Sequence, residues 1–142
     1  MNAEQAKSFV LFPMGSKRFA LPAELVEELA RPDHLQTFPH QTPLLSGVLV
    51  RRGKIIPVCD VAQLLVGAEA PPRKFYLIAN REAPARQEWT AIPVTGECTL
   101  ASLEAARPEP GQPAYVSGTL REGEESVAIV DLEKLITQEV LR

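Results

Sequence analysis

Short apolar runs, separated by polar turns or by turns that contain Gly or Pro, fill most of the chain. Runs of about four to eight such residues, rich in Val, Ile, Phe and Tyr, are typical of β-strands. The predicted strands are residues 8–12, 17–21, 26–30, 47–51, 55–59, 74–79, 88–94, 97–103, 114–120 and 126–130. Residues 24–29 also suit a helix on propensity, and that alternative stays open. The pattern predicts an all-β fold with short helices.

The clearest predicted hairpin joins residues 47–51 to residues 55–59 through the turn Arg52-Gly53-Lys54. Pro57 lies inside its second strand, and a proline cannot donate a hydrogen bond to a neighbouring strand. We therefore expect this strand to lie at the edge of its sheet or to carry a bulge at Pro57.

Two aspartates each precede a short apolar segment and are predicted helix caps. Asp60 is expected to accept a hydrogen bond from the amide of Gln63, whose side chain returns one, at the start of a helix over residues 61–65. Asp131 is expected to begin a closing helix over residues 131–142. The apolar stripe of that helix has helical spacing and consists of Leu132, Leu135, Ile136 and Val140.

Residues 46–65 and 117–136 carry the same pattern of residue types, shifted by 71 positions. The same shift relates parts of residues 20–29 to parts of residues 91–100. A slightly shorter shift aligns the first predicted strand with the sixth, so that Phe9 matches Phe75. The identical positions that we expect to be structural include Gly47 with Gly118 and Asp60 with Asp131. The repeat predicts a duplicated small β unit whose distinctive surface is the seam between two copies.

The length of 142 residues fits one domain, and half of it is near the lower limit for independent folding. We therefore predict a single domain over residues 1–142 in which two barrels share one core. The predicted parts are a first barrel over about residues 8–67, a second over 73–130 and the closing helix over 131–142.

Composition excludes several classes of function. The net charge is −3 and no long basic run occurs, so nucleic acid is not an expected partner. No stretch is long and apolar enough to cross a membrane, and no secretory leader precedes the first strand, so we expect a cytoplasmic protein. Cys59 and Cys98 lie in apolar strands and are expected to be buried neutral thiols.

No known catalytic or metal-binding motif occurs in the sequence. His34 and His40 lie in a proline-rich segment, away from any nucleophile motif, and are expected to be surface residues. We therefore expect no catalytic residue, no metal site and no cofactor.

Arg52 stands out because it lies at the tip of an otherwise apolar hairpin. A guanidinium group forms two parallel hydrogen bonds to a carboxylate, so a pair between Arg52 and Glu28 would fix the segment around Glu28 to the hairpin. The alternative is an exposed turn arginine of little energetic consequence.

The sequence resembles the CheW-like domain, the adaptor family of bacterial chemosensory arrays. The match rests on residues 45–65, where Gly47, Arg52-Gly53, Pro57 and Asp60 fit the family signature G-x-x-x-x-R-G-x-x-x-P-x-x-D. Residues 19–29 and 115–136 are also similar to the family, so that the resemblance covers about residues 8–138.

The resemblance implies two SH3-like five-stranded β-barrels related by a pseudo-twofold axis, and no enzymatic activity. The implied partners are the regulatory domain of a CheA-type histidine kinase and the cytoplasmic tip of chemoreceptors. The implied function is a scaffold that couples the two in chemotaxis or in pilus or gliding motility. Val26, Glu28, Arg52 and Gly53 match positions near the partner-binding face of the family.

Two departures from the family predict a divergent member. Val50-Arg51 stands where the family often has Asn-Leu, which adds a charge to the hairpin, and Val94-Thr95-Gly96-Glu97 replaces the usual Val-Asp-x-Val. The alternative functions are a small-ligand-binding barrel, a thiol-dependent enzyme that uses Cys59 or Cys98, and a peptide-recognition module.

Overall fold

The computed structural model describes residues 6–31, 45–66, 72–80 and 88–140. Ten strands, one 3-10 turn and two short helices follow one another in these ranges. The strands are β1 (Ala6–Met14), β2 (Lys17–Pro22), β3 (Val26–Ala30), β4 (Leu45–Arg51), β5 (Lys54–Cys59), β6 (Phe75–Asn80), β7 (Trp89–Val94), β8 (Thr99–Ala106), β9 (Val116–Glu122) and β10 (Glu125–Val130). The 3-10 turn is Ala23–Leu25, and the helices are α1 (Ala62–Val66) and α2 (Leu132–Val140). The predicted all-β class is confirmed, and β3 resolves the open choice between strand and helix.

The strands form two five-stranded sheets of the same internal order. The first is a closed barrel in the order β1-β2-β10-β9-β8, in which β8 pairs with β1. The second sheet has the order β3-β6-β7-β5-β4. Strands β1 to β5 correspond in order to strands β6 to β10. When each strand is replaced by its counterpart, the order of one sheet gives the order of the other around the barrel. The sequence repeat predicts this relation.

The boundaries predicted for the two barrels are wrong, because the barrels do not coincide with the repeats. The second sheet is built from the consecutive strands β3 to β7, whereas the closed barrel combines β1 and β2 with the last three strands. The chain leaves the closed barrel after β2 and returns to it at β8. Each sheet therefore contains strands of both repeats, and neither repeat forms a barrel of its own.

Strand register confirms the repeat residue by residue. Val58 pairs with Ala91 in the second sheet, and Ile129 pairs with Ala20 in the closed barrel, so both pairs obey the shift of 71 positions. The first strand follows a shift of 67, since Phe9 opposes Pro22 as Tyr76 opposes Pro93. The predicted match of Phe9 with Phe75 was one residue out, and such an error moves a side chain to the opposite face of a strand.

Three buried clusters form the core. The interior of the closed barrel holds Phe9, Leu11, Ala20, Leu120, Val127 and Ile129. The interior of the second sheet holds their counterparts Tyr76, Ile78, Ala91, Leu49, Ile56 and Val58, together with Ala30. The largest cluster, which we call the shared core, lies between the sheets and includes Phe12, Leu21, Cys59, Leu77, Ile92, Val94, Val130 and Leu135. The seam between the sheets is therefore mainly a packed core.

The repeated Ser-Gly dipeptide has a structural explanation. The β9–β10 ladder shifts register between Ile129 and Val130, opposite Ser117, and the β4–β5 ladder shifts between Leu45 and Gly47. Both shifts place one unopposed residue just before the glycine, which is the arrangement of a β-bulge. The expectation for Pro57 is wrong: β5 lies between β4 and β7, and the irregularity is in β4.

Both predicted aspartate caps are present, but the amide shown to donate to Asp60 is that of Ala62, one residue before the predicted Gln63. Asp60 Oδ1 accepts from the amide of Ala62 at 3.2 Å, and the carboxylate also binds Arg73 at 2.6 Å. The predicted bond from the side chain of Gln63 lies outside the described side chains. Asp131 Oδ1 accepts from the amide of Lys134 at 3.1 Å at the start of α2.

Candidate partner-binding surface

The turn between β4 and β5 has a geometry that few residues adopt. Arg51 opposes Lys54, so Arg52 and Gly53 form a two-residue loop, and both have positive φ, at 53° and 76°. Positive φ at both central positions is characteristic of a type I′ turn, which suits the twist of a hairpin. Among the described residues other than glycine, Arg52 alone has positive φ. This backbone presents the Arg52 side chain at the tip, where it is 71% exposed.

Glu28 on β3 is held by two arginines of this hairpin. Arg51 Nε donates to Glu28 Oε2, and Arg52 Nη2 donates to Glu28 Oε1 at 3.1 Å. These contacts lower the pKa of Glu28, and the hydrogen bond from Arg51 is the largest cause. The Glu28 side chain is only 18% exposed.

The sequence anticipated the Arg52–Glu28 pair but missed Arg51. Instead of one guanidinium with two parallel bonds, each arginine binds one oxygen of the carboxylate. Arg51 lies on the inward-facing side of β4, two residues after buried Leu49, and strand alternation was the signal that could have found it. It is also the charge by which this hairpin departs from the family pattern.

Lys54 and Trp89 lie at the same end of the second sheet. Lys54 Nζ lies 4.3 Å from the centre of the Trp89 ring, which is the geometry of a cation–π contact. Trp89 packs against the interior cluster of the second sheet. Among the described residues, the hairpin tip thus brings three cations, those of Arg51, Arg52 and Lys54, together with the carboxylate of Glu28.

The counterpart hairpin, between β9 and β10, has the opposite charge. Glu122 opposes Glu125 across the loop Gly123-Glu124, and Gly123 has a φ of 63°. Arg18 on β2 binds Glu122 and also Glu125, the latter at 2.6 and 3.3 Å. These bonds raise the pKa of Arg18 above its ordinary value and lower that of Glu125.

The four residues predicted to bind partners do not form one cluster. Glu28, Arg52 and Gly53 lie together at the hairpin tip, whereas Val26 packs against the shared core. A register shift between Val26 and Glu28 separates them along β3. The candidate surface therefore extends from the tip of the second sheet toward the seam.

The two glycines predicted to be structural are both buried. A Cβ atom at Gly118 would lie 2.8 Å from the carbonyl oxygen of Ala106 and 3.2 Å from Ile129 Cδ1. The end of β8 therefore approaches β9 too closely for any side chain at this position.

Two of the hollows on the described part of the molecule lie at the closed barrel and beside the shared core. One, of about 1030 Å³, lies on the closed barrel and is bordered by β1, the residues that follow β2, and β8 and β9. The other, of about 420 Å³, is lined by Phe19, Leu65, Tyr115 and Arg18 among others, beside the shared core. Neither contains a cysteine or a histidine among its lining residues.

The cysteines do not support thiol chemistry. Cys59 is 5% exposed within the shared core, and burial raises the pKa of Cys98 to about 11. A thiol of that pKa is protonated at neutral pH and is a poor nucleophile. His34 and His40 lie outside the described residues.

Within the described ranges, no group of three His, Cys, Asp or Glu side chains is arranged to hold a metal ion. The helices described there are too short to cross a membrane.

Comparison with known proteins finds relatives along the chain. Protein FrzA of Myxococcus xanthus is 32% identical over 69 residues, which is 49% of this chain and 43% of FrzA. Chemotaxis protein CheW of Klebsiella aerogenes is 25% identical over 142 residues, covering 94% of this chain and 83% of that protein. The chain thus spans less than half of FrzA but most of the Klebsiella protein.

The solved structure of the scaffolding protein TtCheW from Thermoanaerobacter tengcongensis has the same fold. Its TM-score is 0.79 at 18% identity, and the alignment covers 95% of this chain and 92% of that one. The family model of the CheW-like domain matches residues 8–140. The chain, with its two five-stranded sheets of repeated topology, belongs to the CheW-like domain family.

Proposed function

We propose that this protein is a non-catalytic adaptor that couples chemoreceptors to a CheA-type histidine kinase in an array that controls chemotaxis or pilus or gliding motility. The observation that carries the proposal is the rigid, charged tip of the second sheet, in which two arginines share Glu28. A surface fixed by packing and ion pairs binds without paying a large ordering cost. The burial of Cys59 and the raised pKa of Cys98 disfavour the alternative of a thiol-dependent enzyme.

The proposed kinase contact is the tip formed by Glu28, Arg52 and Gly53. Val26, at the margin of the shared core, extends this surface toward the seam between the sheets, which is the proposed receptor contact. An adaptor needs two such surfaces, because it must hold both partners at once. The fold offers them on a single rigid body, since the shared core joins the sheets.

The test measures binding of the purified protein to the kinase regulatory domain and to the receptor tip from the same organism. Arg52→Glu is expected to weaken kinase binding by about tenfold or more, because it reverses the charge of the most exposed tip residue. The midpoint of thermal unfolding is expected to stay nearly unchanged, since exposed ion pairs contribute little to stability.

Arg121→Glu is the matched control, because Arg121 is an exposed arginine on the counterpart hairpin and the charge change is the same. It is expected to leave kinase binding within about twofold of the wild type. Wild-type protein that binds neither partner would overturn the proposal.

A further inference from the structure

The hollow of about 420 Å³ has an apolar floor at the margin of the shared core. Phe19, Tyr115, Val116 and Leu65 line it. Each of these side chains keeps 7–8% of its surface exposed, whereas a residue in the middle of the shared core, such as Leu21, is completely covered. The remaining apolar surface of the four side chains is therefore gathered in one place.

Two small residues of β10 leave room for this hollow. Ser126 and Ala128 line it and lie on the outward side of the strand, since Val127 between them faces the interior of the closed barrel. The shift of 71 positions places Ile55 and Pro57 at the corresponding sites of β5. The second sheet thus has larger side chains there, so the fold does not require small residues at these positions.

The rim of the hollow offers a cation to a partner. Arg18 lies at the rim, but its guanidinium already binds Glu122 and Glu125. Lys17, the preceding residue of β2, also lines the hollow and makes no ion pair with the other residues that the structure describes. An ammonium group beside an apolar floor favours a partner that carries a carboxylate next to its apolar anchor.

The size of the hollow restricts the occupant to a short piece of chain. Ligand pockets measure about 300–1,000 Å³, and this hollow lies near the lower end of that range. It can take one bulky side chain with its flanking backbone, whereas the surface of a folded domain cannot enter. Phe19 and Tyr115 in the floor favour an aromatic side chain, because aromatic rings attract one another beyond the effect of burial.

We propose that this hollow, which we call the aromatic pocket, binds an extended acidic segment of a partner protein through one aromatic side chain, while Lys17 pairs with a neighbouring carboxylate. Neither Val26 nor the tip of the β4–β5 hairpin contributes to its lining. The inference therefore goes beyond the proposed function and does not depend on it. It gives the molecule a peptide-binding site on the closed barrel.

The test titrates the purified protein with three short peptides and follows its backbone amides by NMR. The first peptide, acetyl-Ser-Asp-Phe-Asp-Ser-amide, has the proposed chemistry. The other two replace its Phe by Ala or both of its Asp by Lys. The first peptide is expected to shift the amide signals of Phe19, Leu65 and Tyr115. It is also expected to bind about tenfold more tightly than the Ala peptide and several-fold more tightly than the Lys peptide.

Four variants test whether this binding uses the aromatic pocket. Ala128→Leu fills the floor, and Ser126→Ile introduces the residue that β5 has at the corresponding site; each is expected to weaken binding of the first peptide by about tenfold. Lys17→Ala is expected to weaken binding of the first peptide but not of the Lys peptide. Ser102→Ile, at an exposed serine of β8, is the matched control and is expected to stay within about twofold of the wild type.

The other outcomes overturn the inference. The first peptide may cause no shifts at about 10 mM, or the Ala peptide may bind equally well, and either result removes the aromatic anchor. Ser126→Ile with a wild-type spectrum and wild-type binding places the site elsewhere, even if Ala128→Leu fails to fold. Self-association of the wild type that Ser126→Ile abolishes makes a second copy the occupant. Kinase and receptor binding by the same variants tests the proposed function separately.

Discussion

The β4–β5 and β9–β10 hairpins are counterparts in the two sheets and bury corresponding positions, yet their tips carry opposite charge. One tip carries Arg51, Arg52 and Lys54, and the other carries Glu122, Glu124 and Glu125. In each, a side chain of the opposite charge on another strand binds the tip: Glu28 on β3 in the first and Arg18 on β2 in the second. The inward positions were kept alike because both interiors must be filled, whereas the outward positions diverged.

The difference indicates where function lies in a duplicated fold. Packing requirements are the same in both copies, so positions that agree between the hairpins are explained by stability. Positions that disagree, such as Val50 and Arg121, are free to serve binding. The comparison makes four predictions.

The largest expected effect is in the matched interiors. Leu49→Ala and Leu120→Ala are each expected to lower the free energy of unfolding by about 2–5 kcal/mol, because both side chains are almost completely buried. Urea unfolding monitored by circular dichroism measures the loss. If one variant unfolds like the wild type, the two interiors are not equivalent.

Next come the bulge-adjacent glycines. Gly118→Ala is expected to cost about 1–3 kcal/mol, since its Cβ would meet a backbone carbonyl that cannot move aside freely. Gly47→Ala is expected to cost a similar amount, because Gly47 follows the corresponding bulge. Ser117→Ala, at an exposed neighbour, is the control in the same unfolding assay. If Gly47→Ala does not change the free energy of unfolding, the close backbone contact found at Gly118 has no equivalent in the second sheet.

A smaller effect is expected at the tip. Arg52→Asn is expected to leave the free energy of unfolding unchanged or to raise it by up to about 1 kcal/mol, because Asn-Gly is the preferred type I′ sequence and tolerates positive φ. Kinase binding should nevertheless weaken. Arg121→Asn, at a residue of ordinary φ, provides the comparison for both measurements. A clear loss of stability in Arg52→Asn would mean that Arg52 serves the fold rather than the partner.

The smallest effect concerns the pH dependence of stability. The folded-state pKa of Glu28 is lowered, so its stabilisation is present above the unfolded-state pKa and is lost as pH falls through the folded value. The stability difference between wild type and Glu28→Gln should therefore shrink from neutral to acidic pH.

Glu125→Gln should follow the same trend, because the pKa of Glu125 is also lowered. Its effect should be smaller, since its side chain is 46% exposed against 18% for Glu28. Thermal unfolding of both variants across this pH range gives the comparison. If Glu125→Gln changes the pH dependence of stability more than Glu28→Gln does, the ion pair of Glu125 contributes more to stability than that of Glu28, contrary to this prediction.

The sequence by itself determined the elements and the repeat. Alternation and turn residues located all ten strands, because burial of one strand face imposes a period of two on the chain. The identical Gly and Asp positions revealed the duplication, since bulges and helix caps have narrow residue requirements. The family signature, which contains Arg52 and Gly53, identified the tip of the β4–β5 hairpin.

Only the tertiary structure decided how the strands are shared between the sheets. A repeat in sequence does not say whether a strand pairs within its own copy or with the other, and here the closed barrel takes β1 and β2 from one repeat and β8, β9 and β10 from the other. The partnership of Arg51 with Glu28 likewise depends on bringing β3 beside the hairpin tip. Both join residues that are far apart in the sequence, so no local pattern of residues specifies them.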